Sequence, residues 1–168
     1  MSELVVPAAW VADRSDALAI VDVRDAWEYE GIGHLPGAVN VPFERFRADE
    51  HGAERGAGDG MLPGAEAFAE VMAGAGISRE DDIVAYDDHH GVFAARLLVT
   101  AELYGHPRER LHLLDGDFSA WQREHPVSTD PVDPDPATYE VGDPADSPLV
   151  DVEAVAAAVD DSDTVIVD

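Results

Sequence analysis

The sequence predicts an α/β layered domain: a central, mainly parallel sheet flanked by helices. Three observations lead there. Short apolar runs recur along the chain, helical patterns separate them, and several of those patterns start on an acid or a proline and stop at a glycine. In order, Pro7 opens a helix over 7–12, since a proline is tolerated in the first turn. Residues 18–23, Leu-Ala-Ile-Val-Asp-Val, are apolar on both faces and end in charge, as a buried parallel strand does. Asp25 opens a helix over 25–30, and a strand follows at 39–41. Residues 49–60, with four glycines and mixed charges, form a surface loop. A helix over 65–73 stops at Gly74, a strand covers 83–86, and a helix over 92–104 stops at Gly105. The last strand is 111–114 and the last helix 118–124, where Phe118 and Trp121 share one face and belong to the core.

Beyond residue 125 the composition changes. Residues 126–148 carry six prolines and five aspartates with little periodicity, which reads as a linker. Periodicity returns at 149–168 as a helix followed by a buried strand. This stretch matches residues 4–22 with one residue inserted: helix, acidic turn, and a strand ending in Val-Asp. The repeat implies a first domain over 1–125, a linker over 126–148, and the start of a second, truncated repeat at 149–168.

Composition removes several functions. The 36 acidic residues face ten basic ones, all arginine, for a net charge of -26. Such a surface repels phosphate backbones and anionic membranes, so no nucleic-acid or membrane role is expected. With no run of eighteen apolar residues and no signal-peptide pattern, a cytoplasmic location is expected. The acids lie within segments that also carry core periodicity, which suggests a salt-adapted protein whose self-repulsion is screened in concentrated salt. The absence of cysteine excludes a disulfide, a thiolate zinc site and a cysteine nucleophile within these residues.

Three segments carry the chemistry. The first, over 20–42, is a strand ending in Asp22-Val23-Arg24, a helix with Glu28 and Tyr29, then Gly33-His34-Leu35-Pro36-Gly37-Ala38 before the next strand. Asp22 and Arg24 stand at the carboxyl end of a strand, where open α/β sheets present functional groups; they form either a structural ion pair or a binding site. His34 either ties its loop to neighbouring backbone or lies in a cleft. The second segment, over 82–96, is a strand, the loop Asp87-Asp88-His89-His90-Gly91, and a helix bearing Ala94 and Arg96. The third, over 111–121, is a strand, the turn Asp115-Gly116-Asp117, and a helix anchored by Phe118 and Trp121.

Together these segments resemble the rhodanese family, and with residues 61–68 and Tyr104-Gly105-His106 they resemble the N-terminal domain of tandem thiosulfate and 3-mercaptopyruvate sulfurtransferases, of haloarchaeal type. The resemblance covers about residues 4–125. It implies a rhodanese-like three-layer domain, no cofactor and no metal. Asp117 departs from it by replacing the second glycine usual in that turn, which touches packing. Asp87 departs at the position of the family's nucleophilic cysteine, where converging N–H groups would stabilise a thiolate and then a persulfide. A carboxylate accepts the same N–H groups but takes up no sulfur. The resemblance therefore implies the cysteine-free, cleft-forming half of a sulfurtransferase. Its partner would be the missing C-terminal rhodanese domain and its substrate a small sulfur-containing anion. Candidate cleft or anion-binding residues are Arg24, His34, Asp87 and Arg96. The alternative is a single-domain pseudo-enzyme that binds a protein or an anion. Metal binding by Asp87, Asp88, His89 and His90 is disfavoured, because adjacent loop side chains seldom converge on one ion.

Overall fold

The computed structural model describes residues 3–48, 62–142 and 149–167. Five parallel strands form one sheet in the order β1-β5-β4-β2-β3: β1 Val5–Val6, β2 Leu18–Asp22, β3 Val39–Asn40, β4 Asp82–Tyr86 and β5 Leu111–Leu114. The helices are α1 Ala8–Ala12, α2 Ala26–Gly31, α3 Ala65–Gly74, α4 Val92–Leu103, α5 Asp117–Glu124 and α6 Val152–Val159. Short 3-10 turns lie at Ser15–Ala17, Phe43–Phe46 and Arg108–Arg110.

Period-two alternation distributes each strand between two cores. Ile83 and Ala85 of β4 join Phe68 and Met72 of α3 and Leu97 and Ala101 of α4 on one face. Val84 and Tyr86 join Val11 of α1, Tyr29 of α2, and Phe118 and Trp121 of α5 on the other. This is the three-layer arrangement expected, with both sheet faces covered. Asp25 caps α2 through a capping box with Glu28. Asp117 takes a left-handed φ of 58° and accepts from Ala120 N–H at 3.2 Å, a conformation that aspartate tolerates by such local bonding. The turn therefore keeps its shape without the glycine.

Three expectations change. Strand β1 was not evident, since two residues at a sheet edge carry no readable period. The 126–148 stretch differs from a free linker: its described part, 126–142, has no helix or regular strand yet is bound to the domain. Ser128 exchanges backbone hydrogen bonds with His34 at 2.8 and 2.9 Å, Ala137 N–H reaches Ala73 O at 3.0 Å, and Gly142 N–H reaches Tyr104 O at 2.9 Å. Tyr139 enters the α3–α4 core. Backbone hydrogen bonds thus tie the chain to the sheet domain as far as residue 142. Lastly, α6 forms as expected within 149–168, but no strand follows it among the described residues: Val165, Ile166 and Val167 are exposed, because a strand without a neighbour has no ladder to join. The glycine-rich loop expected over 49–60 lies outside the described residues.

Candidate functional site

The carboxyl ends of β2, β3 and β4 meet at one edge of the sheet, where open α/β folds bind ligands. The loop after β4 is built around Asp87. Its Oδ1 accepts the backbone N–H of His89 and of Gly91, both at 2.8 Å, and its Oδ2 accepts those of Phe93 at 2.8 Å and Ala94 at 3.0 Å. Two of the four donors belong to the first turn of α4, where N–H groups lack helical partners. His90 at φ 58° and Gly91 at φ 80° bend the loop so that its donors converge. The result is an anion nest filled from within, and a buried carboxylate that could accept nothing further without displacing a donor. Asp88 is also engaged, accepting Ser119 N–H at 2.9 Å and Ser119 Oγ–H at 2.8 Å.

The end of β2 carries a second buried network. Arg24 donates to Asp22 through Nε at 3.0 Å and Nη2 at 2.6 Å, and Nη2 also reaches Gly33 O at 2.7 Å. Tyr86 Oη–H donates to Asp22 Oδ2 at 2.6 Å, and Asn40 Nδ2 bridges the carbonyls of Asp22 and Arg24. The guanidinium lies 3.7 Å over the Phe118 ring, and its Nη1 is buried without a hydrogen-bond partner among the described residues. Burial works against the charge on Arg24, but the bonds to Asp22 and its charge outweigh this and hold the guanidinium pKa above its ordinary value. Burial, reinforced by Asp22, pushes the Tyr86 hydroxyl well up. Of the two roles open for Asp22 and Arg24, the geometry is that of the structural ion pair.

His34 is likewise a tie and not a cleft residue. Its ring is buried and stacked 4.0 Å from Tyr29, with Nδ1 2.9 Å from Leu35 O and Nε2 3.1 Å from Asp130 O. Both nitrogens face carbonyls, one of them in the 126–142 stretch, and a neutral ring donates to one of the two. Arg96 lies on α4 outside the lining of the cavity described next. Its charge is felt by Tyr104, whose hydroxyl burial pushes up while Gly64 N–H and Arg96 oppose that. Of the four candidates, only Arg24 and Asp87 are brought together. His89 and His90 are exposed, and among the described residues no group of three metal-ligating side chains converges.

Arg24 and Asp87 share a cavity of about 300 Å³. Phe43 and Phe93, with ring centroids 4.9 Å apart, line it, with His89 edge-on to Phe93. Asp25, Glu28, Glu44 and Arg47 provide its charged wall. Phe43, Glu44, Arg47 and Phe93 were not singled out from the sequence. The available signal was position, since each lies within seven residues of the carboxyl end of β3 or β4.

A family model for the rhodanese-like domain matches residues 7–124. The thiosulfate sulfurtransferase of Corynebacterium glutamicum is 38% identical over 124 residues, 73% of this chain and 38% of that protein. A putative thiosulfate sulfurtransferase 1 of Mycobacterium bovis is 27% identical over 161 residues, 94% of this chain and 54% of that protein. Among solved structures, SseA of Escherichia coli, a 3-mercaptopyruvate sulfotransferase, superposes with a TM-score of 0.73 at 25% identity, covering 94% of this chain and 62% of that one. The chain thus spans between about two fifths and three fifths of the length of these relatives. No helix among the described residues is long and apolar enough to cross a membrane. With the family model spanning most of the chain and the sheet order, loop and flanking helices in place, the chain belongs to the rhodanese family.

Proposed function

We propose that this chain is the cysteine-free, cleft-forming N-terminal part of a thiosulfate or 3-mercaptopyruvate sulfurtransferase, whose catalytic cysteine resides in a second repeat that begins near residue 149. One observation carries the reading: the nest after β4 is filled by the Asp87 carboxylate, with four N–H donors already spent on it. Sulfur transfer requires a thiolate to attack the outer sulfur of thiosulfate. The S–S bond breaks, sulfite leaves with the bonding pair, and the persulfide then yields its outer sulfur to a thiophilic acceptor. An aspartate at this position can do none of these steps. The relative from Mycobacterium bovis, matched over 94% of this chain but only 54% of its own length, leaves room for a second repeat.

The test is thiocyanate formation from thiosulfate and cyanide. The 168-residue chain should form none, and Asp87→Cys should not reach the rate of an intact two-domain enzyme, since a nest closed around a planar carboxylate does not centre on sulfur. The polypeptide made from the native gene should contain one cysteine after a strand and should turn over. Turnover by the 168-residue chain, or a native polypeptide ending at Asp168, would sink the proposal and favour the single-domain binding module. We further propose that the charge of -26 reflects salt adaptation: the melting temperature should rise from dilute buffer to molar KCl, and a constant midpoint would contradict it.

A further inference from the structure

We infer that residues 137–142 form a latch on the sheet domain that His106 holds shut while its ring is neutral, and that a proton on the ring shifts the latch towards an open form with the sheet domain still folded. The inference stands on residues of this chain and is independent of the sulfurtransferase reading.

The hold on the domain is narrow. Along 126–142, Tyr139 is the one buried residue. Its ring meets Phe68 of α3 edge-on, and the backbone adds two bonds at this end, Ala137 N–H to Ala73 O at 3.0 Å and Gly142 N–H to Tyr104 O at 2.9 Å. The fit leaves little slack, since a Cβ added to Gly76, at φ 74°, would stand 2.8 Å from Pro134 Cβ. A segment with one buried side chain and a few backbone bonds opens at a lower cost than the strands beneath it. The start of the stretch has its own anchor, because Ser128 and Asp130 are held at His34. Opening the latch therefore leaves the stretch attached at His34 and moves the point where the chain leaves the domain from Gly142 back towards Asp130. The helix α6, which follows on that stretch, gains reach.

The buried anchor is also the titratable contact. His106 Nε2 lies 3.0 Å from Asp81 O, which can only accept, so Nε2 carries the hydrogen of the neutral ring. Nδ1 is then bare and accepts from the Tyr139 hydroxyl at 3.1 Å, and burial pushes that hydroxyl pKa up and keeps its hydrogen in place. The neutral ring thus bridges the turn before β4 to the latch. A proton on Nδ1 replaces the acceptor by a donor. The hydroxyl loses the partner to which it donates, and a charged ring stands buried. The charged groups around it do not compensate: Arg79 and Arg110 repel it, and the Asp81 carboxylate, which favours it, already accepts Ser78 N–H at 2.7 Å and Ser78 Oγ–H at 2.9 Å. Arg79 itself donates to Gly105 O, and Arg110 to Glu80 O while facing Asp82 at 3.4 Å. Releasing Tyr139 lets water reach the ring, so the open form takes up the proton more readily than the shut one. Burial, against the bond to Asp81 O, lowers the His106 pKa from its ordinary 6.5 in the folded chain, in keeping with that order.

The experiment is native-state hydrogen exchange of the 168-residue chain in low urea, from about pH 7.5 to about pH 5.5, with protection corrected for intrinsic rates. Ala137 and Gly142 N–H report the latch, and the β4 amides report the sheet domain. The latch amides should be less protected than those of β4 and depend less on urea, since opening exposes little surface. Their protection should fall by up to about tenfold per pH unit below 6.5, and in His106→Gln it should stay level. Reciprocity supplies a second measurement: Tyr139→Ala removes the anchor, so the His106 ring, followed by NMR, should titrate closer to 6.5 than in the wild type. Latch amides with the urea slope of β4 would mean that they open only with the whole domain, which would overturn the latch. So would protection in His106→Gln that falls with pH as in the wild type, or a His106 titration that Tyr139→Ala leaves in place.

Discussion

Two stretches follow the last helix of the sheet domain, and they are opposites. Residues 126–142 have no helix or regular strand, yet Tyr139 is 5% exposed and backbone bonds join the stretch to His34, Ala73 and Tyr104. Residues 149–167 contain a capped helix, α6, and none of its residues is buried. Regular secondary structure and attachment to the fold are thus separate properties. The first stretch is fixed by what it touches. The second holds a local conformation while presenting Val152, Val155 and Val159 to water. Burial, not periodicity, is what contributes to the stability of the domain.

The largest expected effect is at Tyr139. Its ring sits edge-on to Phe68 at 5.7 Å and stacks on His106 at 5.9 Å, and its hydroxyl lies 3.1 Å from His106 Nδ1. Tyr139→Ala should cost about 3–5 kcal/mol in denaturant unfolding, the range for emptying an aromatic site in a core. Val155→Ala in α6 should change global stability by less than about 0.5 kcal/mol, as exposed substitutions do. Equal losses at the two sites would remove the distinction between the stretches.

A smaller loss is expected at Gly105, where the end of the 126–142 stretch, a strap across the domain, meets the residues that follow α4. Its φ is 84°, and an added Cβ would stand 2.7 Å from Gly142 O, a backbone atom that can move only with the strap. Gly105→Ala should therefore cost about 1–3 kcal/mol for the left-handed conformation and the displaced contact together. Hydrogen exchange should show faster exchange at Gly142 N–H than at the strands. If that amide stays as protected as in the wild type, the strap is not held there.

This pair of stretches also separates what the sequence made readable from what it hid. Strands β2, β4 and β5 and the helices around them follow from apolar runs with charged or glycine ends, because their burial is decided by near neighbours in sequence. Strand β1 pairs Val5 with Leu113 and Val6 with Leu114, and nothing local announces that partnership. The strap hid for the same reason: Tyr139 is a single aromatic in a polar run, and its contacts come from α3 and α4. Conversely, the Val-Ile-Val at 165–167 has strand composition and no strand beside it. At the site, motif and position revealed Asp87 and Arg24. The sequence did not show that Asp87 would accept four N–H groups of its own loop, that Arg24 would pair with Asp22 and Gly33 O, nor that both ring nitrogens of His34 would face backbone carbonyls.

The strap should also respond to acid. His106 Nε2 faces Asp81 O at 3.0 Å and Nδ1 faces the Tyr139 hydroxyl, and burial lowers the His106 pKa from its ordinary 6.5. The folded state therefore holds the neutral ring to lower pH than the unfolded chain does. Between 6.5 and the lower folded value the unfolded state binds more protons, so stability rises with pH across that window. The contribution is complete above 6.5 and is lost as the pH falls through the window. Unfolding free energy measured from pH 7 downward should decline in the wild type and decline less in His106→Gln. A parallel decline in both proteins would assign the acid sensitivity to other groups.

The smallest global effect is expected where local structure is best defined. Asp151 caps α6, accepting Ala154 N–H at 2.8 Å, and its own carbonyl accepts Val155 N–H at 3.2 Å. The helix has eight residues, fewer than an isolated helix in water usually needs, and no tertiary contact of its own buries a residue. Its formation thus leans on alanine propensity and on the cap, which is worth about 1 kcal/mol to the helix. Asp151→Ala should reduce the helical chemical shifts of residues 152–159 while leaving the unfolding midpoint of the sheet domain unchanged. The reasoning is that a cap can stabilise only the unit to which its helix is coupled, and here that unit is the helix alone. A lowered global midpoint would mean that α6 packs on the domain in solution. If the helical shifts stayed unchanged in the variant, α6 would be held by something other than its cap, and the contrast with the strap would have to be drawn elsewhere.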